Sequence, residues 1–497
     1  MKSPSRMVVS AAVLMVLLVV AARDHYFRDE FYYLACSHHL AWGYVDQPPL
    51  SIAVLWVVRH TFGESLIVIR MVSALVFAAL LIVTAGLARR LGGGSFAELL
   101  AMIGVAIAPE FLGTAGYYSM NVFDLLIWSI AFRLFVDVLD APSLSRWSLL
   151  GVVLGLGLLN KISVLWLGGG IFAALLLTRG RRELLTPGPY VAAVIAGVMF
   201  VPHVLWQIAN GWPTLEFIRN AGAEKMVQNT PWAFLGDQIT NQHPFALPLW
   251  TAGLAALLVQ ARLRQYRALA IIYLTVAAIL IVNRTSRSGY LALAYPALLA
   301  AGGVFWEGVI RSRALRAAVV VLLMAGGALT MPLAVPLLPV DAYVRYSRAL
   351  GVAPSTEEKK DVGRLPQFFA DRQGWEPFVA QISSVWNSLP SDDRVRAAVL
   401  TGNYGEAGAI ERLAPAMTAI SGHNNYWLWG VRGRTGDVLI VLSRHPERLQ
   451  RLFAQVDKAG ETECGDCMPY ENHIGIYICR RMHPPLPELW PQFKHYE

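Results

Sequence analysis

An acidic pair, Asp29-Glu30, stands in the first polar segment of the chain, directly after an apolar run that ends near residue 22. A carboxylate at a membrane surface is suited to taking a proton from an acceptor hydroxyl while that oxygen attacks C1 of a lipid-linked sugar. An acidic pair can equally solvate a loop or cap a short helix. The surrounding residues are therefore needed to distinguish a catalytic pair from a solvated or capping pair.

A third acidic residue, Asp124, lies in the first turn of an otherwise apolar run. An ionisable group at that depth usually faces a cavity or a partner, although it can also simply interact with the N-terminus of its helix. We therefore take Asp29, Glu30 and Asp124 as the candidate catalytic residues. Glu110, which follows Pro109, is a weaker candidate that we expect to be solvated.

Three basic residues, Lys161, Arg284 and Arg287, stand in short polar turns between apolar runs. Cations at the membrane surface, where a lipid phosphate lies, can bind the phosphate of a lipid-linked donor and stabilise it as a leaving group. The alternative for any one of them is that the side chain extends to the lipid headgroups. Because there are three, we predict a donor phosphate site.

Polar residues elsewhere in the loops are predicted to position the acceptor or the loop itself. They are Tyr44, Asp46, Gln47 and His243. A lone histidine beside a proline is more often a satisfied surface group than a metal ligand. We assign no metal and no certain cofactor, and leave a divalent cation open.

The composition places most of the chain in lipid. The 497 residues are 55% hydrophobic and only 15% charged, and the mean hydropathy is +0.46. The formal charge of +8 comes from short clusters between apolar runs and not from one basic face, so we predict no nucleic-acid partner. We expect a transmembrane body over residues 1–338 and an aqueous α/β domain over residues 339–497.

The apolar runs predict about eleven or more transmembrane helices with an uncleaved first span. The predicted spans are 7–22, 65–88, 97–116, 120–139, 147–160, 162–178, 189–208, 246–261, 268–283, 288–309 and 316–336. With the N-terminus in the cytoplasm, Arg clusters fall inside at every alternate connection. Loop 23–64, loop 209–245 and the C-terminal domain then lie outside. A short interfacial helix is expected from Tyr32 to Leu40, and 147–160 with 162–178 are short enough for a re-entrant or bent hairpin.

The four cysteines, Cys36, Cys464, Cys467 and Cys479, all fall on the side assigned as outside, where thiols can oxidise. The Cys464-Gly-Asp-Cys467 spacing could mark half of a zinc site or a redox motif. No second such motif accompanies it, so a structural disulfide is favoured and its pairing is left open.

Several segments resemble the family 39 glycosyltransferases. The segments are Arg28–Tyr33, Gly43–Leu50, Gly155–Lys161, Pro202–Gln207 with Asn210–Pro213, Gly289–Pro296, Asn403–Ala407 and Ser421–Trp427. The resemblance implies a GT-C fold, a polyprenyl-phosphate sugar donor and inversion at the anomeric centre. It makes Asp29 the catalytic base with Glu30 in support, and matches Asp124 to a second functional acidic residue. Gln47 stands where the aminoarabinose transferases of this family have a lysine, which shifts the expected phosphate contacts to Lys161, Arg284 and Arg287.

These features predict an inverting hexosyl- or pentosyltransferase in the bacterial inner membrane. Its active site and C-terminal domain would face the periplasm, and its acceptor would be lipid A, another glycolipid or a polysaccharide. A flippase of lipid-linked sugars is the alternative, although internal repeats and charges near the bilayer midplane would then be expected. A non-catalytic scaffold has only the aromatic Tyr426–Trp429 stretch in its favour, and that stretch could equally be a half-buried strand.

Overall fold

The computed structural model describes residues 4–497, which form α-helices with a small β-sheet near the C-terminal end. The helices are α1 Pro4–Ala21, α2 Arg28–His38, α3 Leu50–Phe62, α4 Leu66–Arg90, α5 Ser95–Ile107, α6 Pro109–Ala115, α7 Met120–Asp140, α8 Leu144–Asn160, α9 Val164–Leu177, α10 Gly188–Ala209, α11 Pro213–Asn220, α12 Pro231–Asn241, α13 Leu247–Val259, α14 Arg267–Val282, α15 Tyr295–Val309, α16 Arg313–Ala334, α17 Val340–Ala349, α18 Gln367–Ala370, α19 Trp375–Ser388, α20 Ser391–Arg396, α21 Tyr404–Leu413, α22 Asn425–Leu428, α23 Pro446–Leu452 and α24 Leu486–Leu489. The strands are β1 Ala398–Thr401, β2 Ala419–Ser421, β3 Val438–Ser443, β4 Phe453–Glu461 and β5 Gly475–Met482.

The chain divides into two compact units. Unit 1 comprises the described residues up to Arg23 together with Gln47–Ile208 and Gln228–Leu338. Unit 2 is assembled from Asp24–Asp46, Ala209–Val227 and Pro339–Glu497. Segments that are far apart in sequence therefore share unit 2.

Unit 1 is made of apolar helices. By length and composition, five helical stretches among residues 4–497 could cross a membrane, or up to seven if each of two bent pairs is one span. The five are Leu66–Arg90, Gly188–Ala209, Arg264–Val282, Ser288–Val309 and Arg313–Ala334. Four shorter apolar helices, Arg6–Ala21, Leu50–Phe62, Leu144–Asn160 and Pro244–Val259, accompany them. The total of about eleven crossings stays a prediction.

One expected continuous span is broken. The span over residues 97–116 is two helices, α5 and α6, which meet at an angle of 68°. Pro109 begins α6, and Ala108 before it is extended with ψ of 122°. Proline has no N–H for the helix ladder and disfavours a helical residue before it, so the chain bends there. The second bend, of 108°, follows α9 and lies before Arg179–Leu185.

Glycines allow three helices of unit 1 to pack with their backbones close together. A Cβ on Gly302 of α15 would overlap the main-chain oxygen of Leu249, and one on Gly253 of α13 would overlap that of Leu298. Gly303 meets the main-chain oxygen of Ala97 in α5 in the same way. Small residues at helix contacts are the usual means of association in lipid, where burial of apolar area adds little.

The first loop contains two helices where one was expected. Helix α2 begins at Arg28, four residues before the predicted start, so the acidic pair lies in its first turn. Helix α3, Leu50–Phe62, was not anticipated, because its apolar run is too short to read as a span.

Unit 2 contains a mixed five-stranded sheet in the order β2-β1-β3-β5-β4. Strands β2, β1 and β3 are parallel, whereas β5 runs antiparallel between β3 and β4. Buried Leu439 of β3 pairs with buried Cys479 of β5 at the centre. The run Val438–Leu442 lies in β3. The half-buried strand considered for Tyr426–Trp429 is wrong, because Tyr426–Leu428 belong to the single-turn helix α22 and Trp429 caps it.

The CxxC motif forms a disulfide, Cys464–Cys467, in the connection between β4 and β5. Cys36 and Cys479 are buried free thiols. The favoured structural disulfide is therefore confirmed.

We expect Gly302→Ala to destabilise the helix packing of unit 1 by about 1–3 kcal/mol, because the added methyl group forces α13 and α15 apart. Thermal unfolding of the purified protein measures this effect as a lower Tm. Gly308→Ala, in the same helix, is the matched control, since nothing lies within 4 Å of an added Cβ there. Equal Tm values for the two variants would contradict the close contact.

Candidate functional site

The side chain of Asp29 projects from the first turn of α2 and is half-buried in unit 2. Its Oδ1 accepts a hydrogen bond of 2.8 Å from the hydroxyl of Tyr404. Tyr404 is the first residue of α21, and Asn403 caps that helix by accepting from the main-chain N–H groups of Gly405 and Glu406 at 2.8 Å and 3.1 Å. The cap fixes where α21 begins, and so fixes where the tyrosine hydroxyl lies.

Glu30 has a different position from its neighbour. It is fully buried, and its Oε2 accepts from the main-chain N–H of Phe27 at 2.8 Å. This is the reciprocal half of a helix-capping arrangement. The structure therefore gives Glu30 a role in holding the start of α2, which places Asp29.

A second carboxylate, Asp46, lies close to the first. The ring of Tyr32 stacks on that of Tyr404 with centroids 4.5 Å apart, and the Tyr32 hydroxyl donates to Asp46 Oδ1 at 2.9 Å. Burial raises the pKa of Asp46 to about 6, and the charge of Asp29 adds to the rise. Two stacked tyrosines thus hold two carboxyl groups in one site.

Arg28 lies behind this pair. Its guanidinium is buried, donates to the hydroxyl of Tyr470 at 2.8 Å and lies over the ring of Tyr404 at 4.8 Å. A buried guanidinium stays charged and is a favourable neighbour for the ionised form of a nearby carboxylate. Arg28 therefore provides a positive charge beside these carboxyl groups.

Asp124, in unit 1, is at the centre of a separate polar cluster. It is fully buried in α7, and its Oδ2 accepts from the hydroxyl of Ser163 at 2.5 Å. Lys161 donates to Asn121 Oδ1 at 2.7 Å, and its Nζ lies 4.6 Å from the ring centroid of Tyr290. The start of α7, the turn between α8 and α9 and the segment Ser288–Ala294 together build this cluster.

The three predicted phosphate ligands are placed differently within unit 1. Lys161 is half-buried and lies beside the ring of Tyr290. The main-chain N–H of Tyr290 donates to the carbonyl of Arg287 at 3.2 Å. Lys161 and the backbone of Arg287 are therefore neighbours of the same residue. Arg287 is half-buried and Arg284 is exposed. Glu110, expected to be solvated, instead packs over Gly289 in the same neighbourhood.

The remaining loop residues have positioning contacts. The buried Tyr44 hydroxyl accepts from the main-chain N–H of Ala41 at 3.1 Å, and Gln47 is buried in unit 1. The expectation that His243 is a surface group is wrong. It is buried at φ +72°, and its Nδ1 accepts from the N–H of Phe245 at 3.1 Å, which holds the turn before α13. Its geometry favours loop positioning over contact with an acceptor.

Sequence reasoning missed Tyr404, and with it the buried acids Glu406 and Glu471. Asn403 donates to one oxygen of each, both at 3.0 Å. The segment Asn403–Ala407 is one of the family-like motifs, and its position two residues after the end of β1 is the signal that the sequence offers. Among residues 4–497, no group of three or more His, Cys, Asp or Glu side chains could hold a metal ion.

A solved structure, ArnT from Cupriavidus metallidurans bound to undecaprenyl phosphate, superposes with a TM-score of 0.62 at 14% identity, over 95% of this chain and 97% of that one. The molecule is therefore a helical membrane protein with the GT-C fold.

The sequence is also similar to particular glycosyltransferases. The model of the dolichyl-phosphate-mannose-protein mannosyltransferase family matches residues 46–206. The lipid A galacturonosyltransferase RgtD of Rhizobium johnstonii is 28% identical over 39% of this chain and 40% of its own length. The undecaprenyl phosphate-alpha-4-amino-4-deoxy-L-arabinose arabinosyl transferase of Pseudomonas savastanoi pv. phaseolicola is 26% identical over 40% and 39%. The predicted resemblance to family 39 glycosyltransferases is confirmed, although the chain spans only about two fifths of the length of these relatives.

We expect the contribution of Asp371 to the stability of unit 2 to fall as the pH rises from about 4 to 7. Burial raises the pKa of Asp371 to about 7, against about 3.9 in an unfolded chain, so in that window the folded state holds a proton that the unfolded state has released. Each such group lowers stability by at most about 1.4 kcal/mol per pH unit. Asp371→Asn removes this contribution, so the slope of Tm against pH should become more positive than that of the wild type between about pH 4 and 7. Asp361→Asn, at an exposed carboxylate, should leave the slope unchanged.

Proposed function

We propose that the chain is an inverting glycosyltransferase that moves a sugar from a polyprenyl-phosphate carrier to an envelope acceptor. The single observation that carries the proposal is the half-buried carboxylate of Asp29, held at one oxygen by Tyr404 at 2.8 Å. The GT-C fold and the relatives, two of which are named as transferases of galacturonic acid or aminoarabinose, support the same reaction class.

Asp29 acts as the general base. Among residues 4–497 the hydrogen bonds to its carboxylate involve Oδ1, which leaves Oδ2 for an incoming hydroxyl. The acceptor oxygen loses its proton to Asp29 and forms a bond to C1 of the donor sugar, while the bond from C1 to the carrier phosphate breaks. A single displacement from the opposite side inverts the anomeric centre. A positioned base typically contributes a factor of 10²–10⁴ to the rate.

Lys161 neutralises the departing lipid phosphate. Its amine is oriented by Asn121 and Tyr290, and both of these side chains are uncharged. The carboxyl of Asp124 is held by Ser163 beside the same turn and orients the cluster. Arg287 and Arg284 are proposed as further contacts for the donor phosphate. These contacts are needed because Gln47, at the position of the family's lysine, carries no charge.

The proposed location is the outer face of the bacterial inner membrane. The proposed multi-pass body, with about eleven crossings, lies within residues 1–338. The proposed extracytoplasmic domain is residues 339–497 together with the other segments of unit 2, Asp24–Asp46 and Ala209–Val227. Membrane lipids, a polyprenyl-phosphate sugar and a lipid or glycan acceptor are the partners. The Arg clusters at alternate connections support this orientation.

We expect Asp29→Asn to lower sugar transfer at least 100-fold, because the amide cannot accept the acceptor proton. The assay uses purified protein, a polyprenyl-phosphate sugar and an extract of envelope glycolipids, with transfer followed by mass spectrometry. Donor binding should be retained, and Asp361→Asn should transfer at the wild-type rate. Undiminished transfer by Asp29→Asn would refute the base assignment, and sugar flipping without any transfer would favour a flippase.

We expect Lys161→Gln to raise the KM for the donor about tenfold, because a charge-assisted contact to phosphate is lost. The KM for the acceptor should stay near its wild-type value. Arg311→Gln, at an exposed position in the same unit, is the control. A change confined to the acceptor KM would place Lys161 outside the donor site.

A further inference from the structure

Unit 2 contains a cavity of about 340 Å³ that none of the proposed chemistry uses. Its walls come from all three segments of the unit: Arg28 of the first, Lys225 of the second, and residues between Glu358 and Glu497 of the third. A volume above about 300 Å³ lies in the range of small-molecule sites.

The lining is polar and graded from buried to exposed. Arg28 and Lys225, at 7% and 9% exposure, are inside, whereas Lys360 and Arg444 are exposed. The exposed pair therefore marks the opening. Buried charges next to an unfilled space are costly unless something polar occupies it.

The acidic residues of the lining are compensated by the protein itself. Glu358 lies 3.7 Å from the amine of Lys225, and Glu497 lies 3.2 Å from the ring of His495. Burial, together with the neighbouring Glu471, raises the pKa of Glu406 well above its usual value, which favours its uncharged form.

The basic residues at the opening keep their charge available. Arg444 is held by the main-chain oxygen of Pro469 at 2.9 Å, and the amine of Lys360 lies 5.6 Å from the ring centroid of Tyr470. Among residues 4–497 neither is in an ion pair with a carboxylate. A carbonyl orients Arg444 and an aromatic ring orients Lys360. The pKa of Glu497 in the same lining is lowered mainly by His495 and also by the charge of Lys360.

We propose that this cavity binds a saccharide that carries an anionic group, a phosphate or a carboxylate, with Lys360 and Arg444 contacting the anion. Inside, the lining is polar and includes Asn403, Glu406 and His423, side chains of the kind that contact sugar hydroxyls. Arg28 connects the cavity to the site of Asp29, because it lines the cavity and also lies over Tyr404.

The role of that saccharide rests on the proposed transferase function. It is the headgroup of the membrane acceptor, bound next to the base that deprotonates it. The binding itself does not depend on transfer, so the two can be tested separately.

The test uses the full chain in lipid nanodiscs and glucose 6-phosphate as the probe, with glucose and inorganic phosphate as comparisons, measured by calorimetry. Glucose 6-phosphate should bind at least tenfold more tightly than either comparison. The double variant Lys360→Gln/Arg444→Gln should weaken its binding at least tenfold. Arg348→Gln/Arg451→Gln, at exposed positions of the same unit, is the matched control and should bind as the wild type does.

Equal binding of glucose and glucose 6-phosphate, or an equal loss in the control, would overturn the proposal. Nanodiscs that also contain lipid A should displace the probe, and a failure to displace it would refute the acceptor role. Asp29→Asn should bind the probe normally. A failure of the transferase proposal would therefore appear only in the sugar-transfer assay. A failure of the saccharide-binding proposal would appear only in the binding assay.

Discussion

The close approach of α2 to α21 is the constraint on which the candidate site depends. A Cβ on Gly408 would lie 2.8 Å from the Cβ of Phe31, and one on Gly405 would lie 2.6 Å from Cγ of Arg28. Only at this separation can Tyr404 reach Asp29 and stack on Tyr32. The glycines of α21 thus determine where a carboxylate of another segment is held.

A buried ion pair fixes the same segment at its other end. Asp24 Oδ2 lies 3.0 Å from Nε of Arg372, and both side chains are almost fully buried. The guanidinium of Arg372 also lies over the rings of Phe27 and Phe368. Such a pair adds little net stability compared with apolar residues, but it strongly disfavours any arrangement that leaves one charge alone. Its contribution is to specify the position of the chain just before α2.

The sequence alone was sufficient for features that depend on composition and local pattern. Apolar runs predicted the long helices of unit 1 but not α3 or α12. The residues of Val438–Leu442, three of them β-branched, are typical of a strand and lie in β3. The predicted helix begins at Tyr32, four residues after the observed start of α2. The residue that marks this start is Glu30, and an acidic residue there can equally indicate a helix cap or a catalytic group. The break at Pro109 was also available from the sequence, as proline at that position disfavours a continuous helix.

The partners within the site could not be predicted in this way. Asp29 was chosen from its residue type and its place in the chain, but Tyr404 is 375 residues away, and no periodicity links the two. Asp124 and Lys161 could each be suspected as ionisable groups in apolar surroundings. Ser163 and Asn121, which orient them, are ordinary polar residues whose role appears only when the helices pack.

The three-segment construction of unit 2 has a consequence for the order of events in synthesis. Chains grow at about 5–20 residues per second, so the segment with Asp29 exists for roughly 20–75 seconds before Tyr404 has been made. During that time the buried face of α2, with Phe31, Tyr32 and Arg28, has none of its α21 contacts. The aromatic face of α2 therefore stays without its partner helix until Tyr404–Leu413, in about the last fifth of the chain, have been synthesised.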